Sequence, residues 1–419
     1  MVQKSILDNG IRILSERVPG AFSATVGFWV ECGSRHEAPE LGGVSHFLEH
    51  MLFKGTIRRS APSIAKEIDS VGGALNAFTT CEYCCYYAKV AGHDLPLAID
   101  LLSDILLNSI IDLDELEKER RVILQEIHML EDSPEDCIHE LFTRSFWQNH
   151  PLGRPVVGSI QSVQSLERKH LVQYLEDFYG GQNLIISVAG DVRHDALVEQ
   201  ISRLFNHHRG GNKLRAGNAP VSHAGIQTTH RDIEQVHFCL GTAAPDQRHN
   251  QRFAGNLLNT MLGGSMSSRL FQILREERGM AYSVYSYLSA HSDAGALIVY
   301  AGTSAGEVQH AINLVLKELS GFRHREPDPE ELQAAKDLLK GQFMLSLEST
   351  ENRMTRLAKN EIYLGRVQSP EEVIASLQEV SGDDILRMSQ TYLRDDCLNL
   401  QMVGPVTGEG FPPVDLTLG

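Results

Sequence analysis

Apolar positions recur along the chain with two different periods. Short β-branched and aromatic runs, such as residues 25–30 (TVGFWV) and 184–189 (LIISVA), predict strands. SILDNGIRIL, residues 5–14, predicts a hairpin turning at Asn9-Gly10. Residues 115–130 place apolar side chains at helical spacing and predict a long amphipathic helix. GVSHFLEHMLFKGT, residues 43–56, reads as a shorter helix running to Phe53, with a turn-like lead-in at 40–43 and Ser45 as its N-cap. Hairpin signals and strands adjacent in sequence predict a mostly antiparallel sheet covered by helices, an α+β class.

The pattern occurs twice. TVGFWVECGS and HFLEHML align with QVHFCLGTAA and NLLNTML, so that Phe28 meets Phe238 at an offset of 210. At the same offset His46 meets Asn256, Glu49 meets Asn259, His50 meets Thr260, and Met51-Leu52 meets Met261-Leu262. Farther on, LVQYLEDFYGGQNLIISVAGDV lies beside ILRMSQTYLRDDCLNLQMVGPV, with Gly190 against Gly404 at an offset of 214. Two distant anchors at nearly one offset predict two homologous modules of about 200 residues each. The join falls in HHRGGNKLRAGNAPVSHAG, residues 207–225, which is rich in Gly, Asn and basic residues. The expected division is an N-terminal module 1–210, a linker 211–225 and a C-terminal module 226–419. The second copy keeps the apolar positions Leu257, Leu258, Met261 and Leu262 but has no His or Glu at the three polar ones. The fold does not require those polar residues, so the first copy holds them for another reason.

Composition narrows that reason. The chain has 419 residues, 42% hydrophobic and 22% charged, enough for two or three domains with real cores. A formal net charge of −16 argues against nucleic acid as a partner and favours cationic ones such as basic peptides. Seven irregularly spaced cysteines argue for a reducing compartment rather than a disulfide framework. CEYCC, residues 81–85, has no second pair to complete a zinc ribbon and reads as packing residues on a strand. The N-terminal MVQKSILDNGIRILSE lacks the pattern of a signal peptide, and no run of eighteen apolar residues occurs. The expectation is a cytoplasmic protein without a membrane span.

On a helix, His46 and His50 lie about 40° apart, one turn from each other, where both imidazoles reach one ion. Glu49 lies about 60° to the other side of His46, near that ion without having to ligate it. Zinc suits such nitrogen ligands, and an open fourth position holds a water whose proton a carboxylate can take. A third ligand must come from another rigid element. DELEKERRVILQEIHMLED, residues 114–132, is a strong helix whose Glu119 and Glu126 fall on one face. On spacing alone, any of its glutamates could equally belong to a solvated face.

With these segments in place, the chain resembles the inverted-motif, pitrilysin-type zinc peptidases, described by H-x-x-E-H. Within them it is most similar to the mitochondrial processing peptidase β-subunit and its bacterial relatives. GSRHE, GGVSHFLEHMLFKGT, GGALNAFTTCEYCCYYAKV, ERRVILQEI, NLIISVAGDV and SSRLFQILREERGMAYSVYSY follow the family's order over nearly the whole chain. The resemblance implies that His46 and His50 bind one zinc ion and that Glu49 is the general base. It implies that Glu126, 76 residues past His50, is the third ligand, with Glu119 supporting the site. ALNAFT would be an active-site edge strand on which a substrate pairs by main-chain hydrogen bonds, at Asn76 and Ala77. Arg275 and Tyr282 would reach the substrate from the degenerate second module. Cys84-Cys85 departs from the Thr and aliphatic residue common in relatives. The resemblance further implies a chamber between modules that admits peptides or unfolded segments. It implies either a homodimer or a heterodimer with a motif-lacking homologue. The same fold also serves as a non-catalytic scaffold, as in core subunits of the respiratory bc1 complex, but those tend to lose the metal motif that this chain keeps.

Overall fold

β1 (Val2–Ile6) and β2 (Arg12–Arg17) pair antiparallel across the expected turn, where Gly10 adopts a φ of 92° that favours glycine. The computed structural model describes residues 2–211, 213–214, 217–406 and 415–419. The remaining strands of the first sheet are β3 (Ser23–Val30), β4 (Ala74–Thr79), β5 (Cys84–Ala91) and β6 (Leu184–Gly190), in the order β1-β2-β6-β3-β5-β4. The second sheet contains β7 (Gly225–His230), β8 (Gln235–Ala244), β9 (Ala281–Ala290), β10 (Gly295–Ser304) and β11 (Asn399–Gly404), in the order β7-β11-β8-β10-β9. Among the described residues, each is a mixed sheet with a single parallel pair, β2–β6 in one and β7–β11 in the other. The fold is α+β, and the modules are homologous.

The duplication is visible in detail. The order β6-β3-β5-β4 recurs as β11-β8-β10-β9. Phe28 on β3 and Phe238 on β8 are both fully buried. Gly190 and Gly404 end equivalent strands with φ of 152° and 154°. A Cβ at Gly190 would lie 2.8 Å from Ala24 Cβ, and one at Gly404 would lie 2.7 Å from the Gln235 carbonyl oxygen. Both positions therefore exclude a side chain.

Compact units cross the chain halves. One unit comprises Met1–His128, Arg154–Gly217 and Met344–Val367, and the other comprises Met129–Gly153, Asn218–Phe343 and Gln368–Gly419. In the first, the helix Thr350–Leu364 lies on β2, β3 and β6. Its Met354 packs over Gly27, where the strand has no side chain. Polar contacts fix its seat: Glu16 accepts from Arg353 at 2.6 Å and Arg356 at 3.0 Å, and the hydroxyls of Thr350 and Thr25 meet at 2.9 Å. In the second unit, the helix Pro134–Phe146 lies on β8 and β11 and sets the Phe142 ring against Gly241.

The core of the first unit joins β3 to the helices that matter for chemistry, through Phe28, Phe47, Met51, Ile123 and Ile127. All seven cysteines are free thiols. β5 starts at Cys84, so Cys81 lies in the turn before the strand and not on it; Cys84 and Cys85 are fully buried packing residues. Among the described residues, no helix is long and apolar enough to cross a membrane.

Candidate metal centre

The helix Val44–Leu52 buries Phe47, Leu48, Met51 and Leu52 and turns His46, Glu49 and His50 away from that core. Its start differs from the expectation. Gly43, not Ser45, is the N-cap, with φ 89° and no room for a Cβ, which would lie 2.6 Å from the Val157 carbonyl oxygen. Ser45 sits inside the helix, its hydroxyl 2.7 Å from that of Tyr174. The open backbone donors go to Glu37 instead. Its Oε2 accepts the Gly43 N–H and its Oε1 the Ser45 N–H, each at 2.8 Å. Burial pushes this carboxyl up to about 7, against the pull of those donors and of Arg154.

The helix Leu113–Asp132 supplies Glu119 and Glu126. Just before it, Ile111 holds a φ of 44°, an outlier for a β-branched residue. Arg168 clamps this bend by donating to the carbonyls of Ile111 at 2.8 Å and Ile110 at 3.0 Å.

His46 Nε2 and His50 Nε2 each stand 3.7 Å from Glu126 Oε2. Ligand atoms of the three residues all lie within 4.8 Å of one another. A separation of 3.7 Å is too long for a hydrogen bond. It suits two ligands sharing a tetrahedral zinc, which, at about 2.0–2.2 Å from the ion, lie roughly 3.4 Å apart. The tautomer of His50 agrees. A carboxylate only accepts, so the 3.0 Å contact between His50 Nδ1 and Glu119 Oε2 puts the proton on Nδ1. The lone pair of Nε2 then faces Glu126. His46 is kept neutral, its imidazole lowered to about 4 by burial and by His50. Its Nδ1 is buried and meets no partner among the described residues. Packing therefore orients His46, partly against the His50 ring, with centroids 4.7 Å apart. The donor set fits zinc.

Glu49 is half-buried beside this cluster. Its Oε2 accepts a hydrogen bond from the Thr79 hydroxyl at the end of β4. Burial raises its carboxyl above the ordinary value, with Glu126 adding to the rise and Thr79 and His50 opposing it. Among the described residues β4 is the outer strand of the first sheet, paired with β5. An open cleft of about 240 Å³ runs along it, lined in part by Glu49, His50, Leu75, Asn76, Ala77 and Glu119. Asn76 is exposed, and its Oδ1 accepts the Ala77 N–H at 2.8 Å.

Arg275 and Tyr282 belong to the second unit and stand together there. The Arg275 guanidinium lies 5.1 Å from the Tyr282 ring centroid and 4.9 Å from that of Phe271, in a π-helical turn, Phe271–Glu277. Tyr282 is 79% exposed, so its hydroxyl is available to a ligand. In the degenerate helix Arg252–Leu262 the polar residues turn to the protein instead. Thr260 donates to the Asn256 carbonyl at 2.8 Å, and Asn259 accepts from Ser286 of β9 at 2.7 Å. Sequence reasoning missed Glu37, Lys54, Thr79 and Tyr174. All four lie in quoted segments, but only the fold shows what they touch.

Two like modules, one with a His/His/Glu cluster and a nearby carboxylate and one without them, define a zinc-metallopeptidase architecture. Residues 12–159 match "Insulinase (Peptidase family M16)" and residues 165–339 match "Peptidase M16 inactive domain", and the chain belongs to this family. It is 39% identical to the uncharacterized zinc protease YmxG of Bacillus subtilis, over 94% of this chain and 97% of that one. An uncharacterized zinc protease of Rickettsia felis is 34% identical, over 97% and 98%. Among solved structures, a protease from Helicobacter pylori superimposes with a TM-score of 0.89 at 22% identity, over 97% of this chain and 99% of that one. A peptidase M16 inactive domain from Pseudomonas fluorescens gives 0.91 at 19% identity, over 97% and 98%.

Proposed function

We propose that the chain is a zinc-dependent metalloendopeptidase of the processing-peptidase β-like branch, cutting peptides or unfolded segments. The observation that carries this reading is the convergence of His46 Nε2, His50 Nε2 and Glu126 Oε2, with Glu49 beside them. His46, His50 and Glu126 would hold one zinc ion. Bound there, zinc supplies Lewis-acid chemistry, polarising the scissile carbonyl and acidifying a water. Glu49, held in place by Thr79, would accept a proton from the attacking water and hand it to the leaving amine. Glu119 fixes the proton of His50 on Nδ1 and so keeps its Nε2 free for the metal. The edge of β4 at Asn76 and Ala77 pairs with an extended substrate once Asn76 Oδ1 gives up the Ala77 N–H, which asks little of the substrate's sequence. Arg275 and Tyr282 steady the substrate backbone from the second module.

In this reading modules 1–210 and 226–419, with 211–225 between them, are the inherited units. The substrate enters an enclosed chamber, and the working protein is a cytoplasmic homodimer or a heterodimer with a motif-lacking homologue. Seven free thiols support a reducing compartment. The net charge of −16 supports a preference for basic peptides. The test is cleavage of a quenched basic peptide with and without a chelator, alongside Glu49→Gln. Chelator-sensitive turnover that disappears in the variant is expected. Equal cutting by both proteins rules out the assigned chemistry, and absence of cutting by either favours a scaffold.

A further inference from the structure

We infer that Lys54 is a positioning residue for His50, acting through Glu119; this rests on the metal-site reading above. Lys54 follows the motif helix directly, its N–H bonded to the Met51 carbonyl at 3.1 Å. It stands just past the helix's C-cap, Phe53, where its side chain and that of His50 meet on Glu119. Glu119 fills the space between them. Lys54 Nζ lies 2.6 Å from Glu119 Oε1, and His50 Nδ1 lies 3.0 Å from Glu119 Oε2. Each carboxylate oxygen thus has its own donor, and the carboxylate plane is set from both ends. The Glu119 side chain is only 8% exposed, so water does little to replace a lost partner.

The charges around the cleft sharpen the point. Glu49 and Glu119 line it, Glu126 stands at its metal end, and Lys54 is the one Lys or Arg among its described lining residues. Without the ammonium, Glu119 Oε1 has no partner on that side. The carboxylate is free to turn, and the bond that sets the His50 tautomer loosens. Pure through-space electrostatics predicts the opposite result. Deleting a positive charge near a cation site should tighten metal binding. The sign of the effect therefore separates positioning from simple charge.

The experiment measures zinc affinity by competition with a chromophoric chelator at neutral pH, on the full chain. For Lys54→Met, which keeps the apolar stem, weakening of about tenfold is expected, the low end of the range for losing an orienting partner. Lys54→Arg should stay within about threefold of wild type, because a guanidinium also donates to the carboxylate. Adding Lys54→Met to Glu119→Gln should cause little further loss, since both act through one contact. Wild-type or tighter zinc binding by Lys54→Met overturns the inference. If Lys54→Met does not fold, Lys54→Gln takes its place with the same expectation and the same overturning result. Glu126→Gln is the reference arm. If it keeps wild-type affinity, the metal-site reading itself fails; if it loses zinc while Lys54→Met does not, only the role of Lys54 fails.

Discussion

Glu37 Oε1 accepts the N–H of Ser45 at 2.8 Å, deep in the first unit, and so caps the helix that carries His46 and His50 from outside that helix. The carboxyl titrates at about 7 when folded, against an ordinary value of 4.5. Between those values the native state holds a proton that the unfolded chain has released. The contribution is therefore fully present below about pH 4.5 and lost as pH rises through about 7. Urea midpoints of the metal-free protein should show wild type losing stability relative to Glu37→Gln over this window, by on the order of 1–3 kcal/mol. A difference between the two proteins that does not change with pH would show that burial does not hold this proton.

Thr79 donates to Glu49 from the end of β4 and so ties the proposed base to the proposed substrate strand. Thr79→Val keeps the shape and removes the donor. The expected result is a fall in kcat of roughly tenfold, about 1.4 kcal/mol, with zinc affinity unchanged. Steady-state kinetics and metal titration on the same preparation check both halves. An unaltered kcat would mean that Glu49 is held by its packing alone.

Gly190 and Gly404 share a backbone conformation that leaves no space for Cβ. Alanine at either should destabilise the protein by on the order of 1–3 kcal/mol. Gly306, where an added Cβ would meet nothing within 4 Å, provides the control. Denaturant midpoints for the three alanine variants should separate the first two from the third.

The helix Thr350–Leu364 is seated on the first sheet partly by Glu16, whose side chain is 8% exposed and which meets Arg353 and Arg356. Glu16→Gln leaves two part-buried guanidinium groups facing a neutral amide. A loss of about 1–3 kcal/mol is expected, the usual effect of removing a charged hydrogen-bond partner. Limited proteolysis around residues 344–349 should accelerate. Wild-type cleavage rates there would show that the apolar contacts of Met354 and Leu357 suffice.

Much of the site was legible before the fold. The i, i+4 histidines follow from helical geometry, and the comparison of repeats showed that packing does not need them. The glutamate was less accessible. Periodicity put Glu119 and Glu126 on one face, and the resemblance to a known family distinguished their roles. In the structure one oxygen of Glu126 faces both histidines, whereas Glu119 reaches the far side of the His50 ring. That difference depends on how two helices meet, which no spacing within either helix contains.

By itself the sequence determined the class, the duplication, the polar cluster on the first helix and its absence from the second. These are local or internally repeated properties, carried by period and by alignment of the chain with itself. Tertiary structure alone decided that Glu37 caps the motif helix, that Lys54 and His50 share Glu119, and that the helices Pro134–Phe146 and Thr350–Leu364 cover the sheets of the opposite chain halves. An amphipathic pattern states that a helix has an apolar face, but not which sheet will bury it. A buried charge finds its partners only where packing brings distant segments together.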